Sequence, residues 1–205
     1  VEGIDATFKL CLILFHAFGV IADPHSILRK GISSLHPFDM QYAREKGKRV
    51  KLLARANRVN GSQYSATVLP GFVDHSSKLF DVHNEYNGLL IGSSLADEQF
   101  LSGKGAGRYP TASAVLSDIS ALRYGYKYEY RKHSHGVDLS SHDKTTVELY
   151  LSYPAQKIID ESVFSQVHES YRGTDRGYLT GSITIGHIRE SAWLNDNAVS
   201  VITLN

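Results

Sequence analysis

Two short segments of the chain carry residue types that could do chemistry. Asp5 and Lys9 are four residues apart, which places them on one face of a helix. On an open helix surface such a pair is a weak ion pair, worth about 0.3–0.5 kcal/mol. At the mouth of a cleft, the ammonium could instead exchange a proton with a substrate, and the carboxylate could hold a substrate ammonium group. The apolar residues around the pair favour the cleft.

The second segment is a glycine-rich loop that runs into a predicted helix. Gly103, Gly105 and Gly107 precede Pro110 and Thr111. Such a loop is typical of a phosphate or nucleotide site, because the first N–H groups of a helix are free to bind an anion. In a dinucleotide-binding domain the loop follows the first strand, whereas here residues 1–102 come before it. It is therefore either a plain turn or one wall of a nucleotide site whose main domain lies elsewhere.

Three helices are predicted around these segments. The first covers Asp5–Phe18, ends at Gly19 and is apolar on nearly every side, so we expect it to be buried. The second covers Pro37–Lys46, and the third covers Pro110–Tyr124 directly after the glycine loop.

Strands are predicted between and after these helices. The Asn60-Gly61 turn indicates a hairpin of strands 49–59 and 64–69, the second stopped by Pro70. Further along the chain we expect strands at 86–93, 98–101, 145–153, 178–188 and 198–204, with short helices at 75–82 and 160–170. The last four of these elements follow a β-α-β-β order.

Composition limits the class of protein. Of the 205 residues, 42% are apolar and 21% are charged, as in soluble globular proteins. Lys and Arg total 22 against 21 for Asp and Glu, which argues against nucleic acid or an anionic membrane as the main partner. No apolar stretch approaches the roughly 20 residues of a membrane span. Cys11 is the single cysteine, which fits a cytoplasmic protein.

The two chemistry-bearing segments together resemble homoserine dehydrogenase. The first is Val1–Lys9 (VEGIDATFK) and the second is Gly103–Val115 (GKGAGRYPTASAV). The resemblance covers about residues 1–123, because the stretches between the two segments follow the order and spacing of the family. Those stretches are 31–32, 39–46, 50–56, 68–70 and 84–92.

The resemblance implies a role for each matching residue. Asp5 would hold the substrate amino group and Lys9 would be the catalytic acid/base. Gly105, Gly107 and Thr111 would lie beside the nicotinamide cofactor, NADP or NAD. The implied reaction reduces L-aspartate 4-semialdehyde to L-homoserine in threonine, methionine and isoleucine biosynthesis, with a small-molecule substrate and no metal.

The resemblance also sets expectations for architecture. We expect an α+β fold, a two-layer mixed sheet with helices on one face. Residues 1–123 would form the catalytic and dimerisation domain, 124–144 a linker, and 145–205 a small ACT-like domain, possibly truncated. The hairpin at Asn60-Gly61 would contribute sheet to a homodimer.

Where the chain begins bears on its activity. The family's nucleotide-binding domain and a substrate-binding carboxylate lie upstream of the first helix, and this chain starts at Val1. We interpret it as a piece of a longer polypeptide that is inactive alone and lacks most of the cofactor site. The alternative is a non-catalytic regulatory or interaction module derived from the family.

A group of histidines after the third helix has the composition of a metal site. His133, His135 and His142 are close in sequence to Asp138 and Asp143, and a His-x-His pair can chelate. The spacing is irregular and no cysteine joins the group, so we interpret it as a solvated loop.

Overall fold

A computed structural model of the chain describes residues 1–135 and 139–204. It divides the chain into two compact units, one of Val1–Phe72 with Tyr130–Asn205 and one of Val73–Glu129. This division differs from the predicted one, in which residues 124–144 would separate residues 1–123 from a C-terminal domain. The difference arises because strands from both ends of the chain belong to one sheet.

Helix α1 (Ile4–Phe18) confirms the first predicted helix. It begins after Gly3 and ends at Gly19, and both glycines have a left-handed backbone, with φ of +77° and +72°. Its inner side buries Thr7, Leu10, Leu14 and Phe15. Its outer side exposes three apolar side chains in one stripe, those of Ile4, Phe8 and Leu12. The helix is therefore buried on its inner side, as expected, but its outer apolar stripe is exposed.

An eight-stranded mixed sheet forms the centre of the first unit. After α1 the chain forms β1 (Leu28–Arg29), helix α2 (Pro37–Glu45), β2 (Arg49–Arg58) and β3 (Gln63–Val73). The remaining strands of the sheet are β6 (Ser140–Ser141), β7 (Thr146–Pro154), β8 (Gln166–Arg172), β9 (Arg176–Thr184) and β10 (Ser200–Thr203). The path of the sheet is β1-β3-β10-β7-β9-β8, and β2 and β6 also pair with β3.

The hairpin predicted at Asn60-Gly61 is present, but its second strand is longer than predicted. Strand β3 continues through Pro70 to Val73. Pro70 has no N–H to donate, yet its carbonyl accepts from the Thr203 hydroxyl at 3.3 Å. The next residue, Gly71, pairs with Thr203 in β10, so the ladder resumes after the proline.

Helices cover both faces of the sheet rather than the single face that was predicted. Successive residues of a strand point to opposite faces. Leu149 packs with a short helix, Ile185–Glu190, whereas Tyr150 packs with Ala43 of α2. The α+β class with a mixed sheet is confirmed, and the two-layer arrangement with one covered face is corrected.

The C-terminal residues do not form the predicted β-α-β-β module. Residues 160–170 hold a 3₁₀ turn at Glu161–Val163 and then the first part of β8, where a helix was predicted. The second half of this segment is extended because four of its residues, Gln166, Val167, Glu169 and Ser170, pair with β9, and strand pairing outweighs local propensity. Strand β10 pairs with both β3 and β7, which joins the tail to the first half of the chain.

The second unit contains a hairpin and a helix. Strands β4 (Tyr86–Ser93) and β5 (Asp97–Lys104) pair antiparallel, close to the predicted bounds. Residues 75–82 form turns instead of the predicted helix. Helix α3 (Arg108–Arg123) begins two residues before Pro110, which is accommodated in the first turn because an N–H there has no partner inside the helix. None of the residues of α3 is buried.

A buried carboxylate joins α2 to the sheet. Asp39 has no exposed surface, and its Oδ2 accepts from the backbone N–H of His36 at 2.8 Å. Its Oδ1 accepts from the Tyr150 hydroxyl at 3.1 Å and from the Ser152 hydroxyl at 2.5 Å. His36 Nδ1 accepts in turn from the N–H of Phe38, which completes a capping box. One aspartate thus fixes the start of α2 on β7.

The phenol of Tyr150 predicts how this unit responds to alkali. Burial raises the pKa of Tyr150 well above its usual range, and the charge of Asp39 adds to the shift. The folded chain therefore keeps a proton that the unfolded chain releases above about pH 10. The stability that this proton contributes is fully present below that pH and is lost progressively as the pH rises above it. We expect Tyr150→Phe to reduce the fall of unfolding free energy above pH 10 by up to about 1.4 kcal/mol per pH unit.

The measurement is urea unfolding at a series of pH values between 8 and about 11.5. Tyr130→Phe is the control, because the Tyr130 side chain is exposed. An equal dependence on pH in the two variants would contradict the prediction.

Candidate functional site

The structure brings Asp5 and Lys9 together on the outer side of α1. Lys9 Nζ lies 2.9 Å from Asp5 Oδ2, and the side chains are 53% and 83% exposed. The predicted ion pair is therefore formed, but it does not lie in a cleft of the structure described. The apolar neighbours that favoured a cleft, Ile4, Phe8 and Leu12, are exposed beside it because the sheet covers only the opposite side of the helix.

The glycine loop lies in the second unit and is shaped by its own contacts. Gly105 donates its N–H to the Glu85 carbonyl at 2.8 Å, and a Cβ on Gly105 would overlap the Asn87 side chain at 1.7 Å. Lys104 contacts the Glu85 carboxylate at 3.0 Å, and this hydrogen bond raises the pKa of the ammonium. The loop is therefore held against the start of β4 and the residue before it. No sequence pattern indicated that Asn87 would contact the loop.

Gly107 has the backbone that the start of α3 requires. Its φ of +117° and ψ of 157° fall in a region that is essentially restricted to glycine. The Thr111 N–H donates to the Gly107 carbonyl at 3.1 Å, which closes the first helical turn. In the described residues no side chain caps this turn, so a flat or anionic group could approach its N–H groups.

Substitution of Gly107 tests this geometry. We expect Gly107→Ala to cost about 1–3 kcal/mol of local stability, because alanine rarely adopts that backbone. Amide hydrogen exchange of residues 111–113 would rise accordingly. Gly103→Ala is the control, since a Cβ at Gly103 would meet no atom within 4 Å. Equal exchange in both variants would show that α3 does not depend on the Gly107 conformation.

The histidine group is dispersed. His133 Nδ1 lies 3.0 Å from the Gly19 carbonyl, and Asp143 binds Arg189 at 3.2 Å. The His142 N–H donates to the Tyr64 carbonyl in the sheet. Asp138 and the side chain of His135 lie outside the described residues. Within the parts of the chain that the structure describes, no group of three or more His, Cys, Asp or Glu residues is arranged to hold a metal ion.

The sequence-predicted site residues thus form two groups. Asp5 and Lys9 belong to the first unit, whereas Gly105, Gly107 and Thr111 belong to the second. No helix among the described residues is long and apolar enough to cross a membrane.

In comparisons with known proteins, the family model and the relatives that match the chain are described as homoserine dehydrogenases. A family model described as homoserine dehydrogenase matches residues 1–120. The chain is 34% identical over 119 residues to a homoserine dehydrogenase of Lactococcus lactis. The aligned region covers 58% of this chain and 28% of that protein. It is 28% identical over 211 residues to the homoserine dehydrogenase of Helicobacter pylori. That alignment covers 98% of this chain and 46% of the Helicobacter protein.

The fold has a close relative among solved structures. A homoserine dehydrogenase from Thiobacillus denitrificans superposes with a TM-score of 0.79 at 22% identity, covering all of this chain and 53% of that one. The chain thus spans about half or less of the length of these relatives. Since the family model matches more than half of its residues, the chain belongs to the homoserine dehydrogenase family.

Proposed function

We propose that this chain is the catalytic portion of a homoserine dehydrogenase that reduces L-aspartate 4-semialdehyde to L-homoserine with NADPH or NADH. The observation that carries the proposal is the Asp5–Lys9 pair, held at 2.9 Å on the outer side of α1 within the residues that the family model matches. The pathway would be the biosynthesis of threonine, methionine and isoleucine.

Lys9 would act on the substrate oxygen. Its ammonium would polarise the aldehyde and then donate a proton from Nζ to the oxygen that becomes the hydroxyl of homoserine. A positive charge placed there meets negative charge that develops only in the transition state, where it lowers the barrier most. Asp5 would hold the substrate ammonium group, since its carboxylate is 83% exposed and can accept a second cation beside Lys9.

The glycine loop would hold part of the nicotinamide cofactor, which supplies the hydride when bound. Gly105 and Gly107 present backbone without a side chain, and the first turn of α3 presents N–H groups without a side-chain cap in the described residues. Exposed apolar residues along α3 support its packing against a further nucleotide-binding domain. They are Val115, Leu116, Ile119 and Leu122.

The proposal extends to assembly and location. We propose a cytoplasmic homodimer to which the β2–β3 hairpin contributes sheet, as the family resemblance implies. Its substrate is a small molecule, and the balance of 22 basic against 21 acidic residues supports neither nucleic acid nor a membrane surface as its partner.

The experiment that tests the activity is homoserine oxidation by the whole protein that contains this chain, with NAD and NADP in turn. Turnover with either cofactor supports the proposal. Absence of turnover with both would favour the alternative of a regulatory or interaction module derived from the family.

A further inference from the structure

A buried lysine, Lys30, directly follows β1 and begins the segment 30–32, which contacts the residues before α1. Lys30 is only 8% exposed, and its Nζ donates to the carbonyls of Leu194 at 2.6 Å and Asp196 at 3.0 Å. Burial lowers the pKa of this ammonium, while the charges of Asp196 and Glu2 oppose the decrease. Holding a charge in this position is costly unless its hydrogen bonds are made, so the two carbonyls fix the side chain firmly.

The backbone that follows Lys30 supports the residues before α1. The Lys30 N–H donates to the Val68 carbonyl at 3.0 Å, which anchors it to β3. The Ile32 N–H donates to the Val1 carbonyl at 3.0 Å. Between them, Gly31 lies so close to the first residues that a Cβ would be 2.4 Å from the Val1 oxygen. Residues 30–32 and the N-terminal residues are therefore in direct contact.

The start of α1 is set by those N-terminal residues. Gly3 precedes the helix, and a Cβ there would lie 3.1 Å from Val68 and 3.2 Å from Arg29. The Gly3 carbonyl accepts from both the N–H and the hydroxyl of Thr7, each at 2.9 Å. Thr7 is fully buried and lies midway between Asp5 and Lys9. A displacement of Gly3 would therefore move the first turn of α1, which carries Asp5 and precedes Lys9 by one turn.

We propose that Lys30 is a positioning residue for the Asp5–Lys9 pair, acting through Gly31, Val1 and Gly3 on the first turn of α1. The role in catalysis rests on the proposed function, but the structural coupling can be measured without it. Lys30 itself touches neither Asp5 nor Lys9 through any hydrogen bond or ion pair described above.

The direct test is amide hydrogen exchange of Thr7 and Phe8 in this chain. We expect Lys30→Met to speed their exchange by about tenfold or more, because the first turn loses its support. Lys157→Met is the matched control, since Lys157 binds the same C-terminal loop through the Asp196 carboxylate at 2.6 Å. Exchange that is unchanged in Lys30→Met, or equally fast in both variants, would overturn the proposal.

Gly31→Ala is a second variant that keeps both Lys30 hydrogen bonds. Its Cβ would overlap the Val1 oxygen, so it perturbs the same path from the opposite end. We expect the amides of Thr7 and Phe8 to exchange faster in this variant too. If Lys30→Met does not fold, Gly31→Ala still tests the coupling. If the amides of Thr7 and Phe8 exchange at the wild-type rate in Gly31→Ala, the proposed coupling through Gly31 is wrong.

Kinetics of the whole protein complete the test. We expect Lys30→Met to lower kcat about tenfold with little change in the KM for the cofactor, and Lys30→Arg to restore part of it. If wild type turns over and Lys30→Met keeps its kcat, the positioning role is overturned while the proposed function stands. If wild type is inert but exchange responds as expected, the proposed function fails and the structural coupling stands.

Discussion

Replacing Lys9 by alanine is expected to lower kcat for homoserine oxidation by about 10²–10⁴-fold in the whole protein, which is the range that general acid–base groups contribute. The reason is loss of the group that would exchange a proton with the substrate oxygen. Folding should be nearly unaffected, because the Lys9 side chain is half exposed and its pairing with Asp5 is a surface ion pair.

The measurement is steady-state oxidation of homoserine with NAD and with NADP, together with cofactor affinity and urea unfolding. Cofactor affinity should stay near the wild-type value, since the loss is expected in the chemical step. Lys46→Ala is the control, because Lys46 is an exposed lysine that only lies over the Tyr42 ring. A Lys9→Ala protein with wild-type kcat would favour the non-catalytic alternative.

Replacing Asp39 by alanine is expected to destabilise the first unit by at least about 3 kcal/mol, because each buried donor left without an acceptor costs about 1–3 kcal/mol. Three donors lose their acceptor at once, namely the His36 N–H and the hydroxyls of Tyr150 and Ser152. Buried donors without an acceptor cost the full desolvation penalty. The start of α2 also loses its capping box.

Urea unfolding of the chain, followed by circular dichroism, measures this loss. Tyr150→Phe is the graded control, because it removes a single donor to the same carboxylate and should cost about 1–2 kcal/mol. Asp81→Ala is the surface control, since Asp81 is exposed. An Asp39→Ala variant no less stable than Asp81→Ala would show that the network contributes little.

Local patterns predicted most elements but not where they pack. Helix α1 and its stop at Gly19 follow from apolar residues and a terminal glycine, and the β4–β5 pair follows from β-rich stretches. The predicted helix at 160–170 fails because β9 offers this segment a pairing partner that lies close only in the fold. Histidine is not among the usual capping residues, yet the ring nitrogen of His36 accepts from the Phe38 N–H and caps α2.

The sequence by itself determined the family of this protein and the pairing of Asp5 with Lys9, because both depend on residues close together in the chain. Only the tertiary structure decided that α1 exposes its apolar stripe, that Asp39 is buried under β7, and that Lys30 supports the start of α1. The physical reason is separation along the chain. The Asp39–Ser152 and Lys30–Leu194 contacts join residues 113 and 164 positions apart, and no local spacing encodes which such residues will meet.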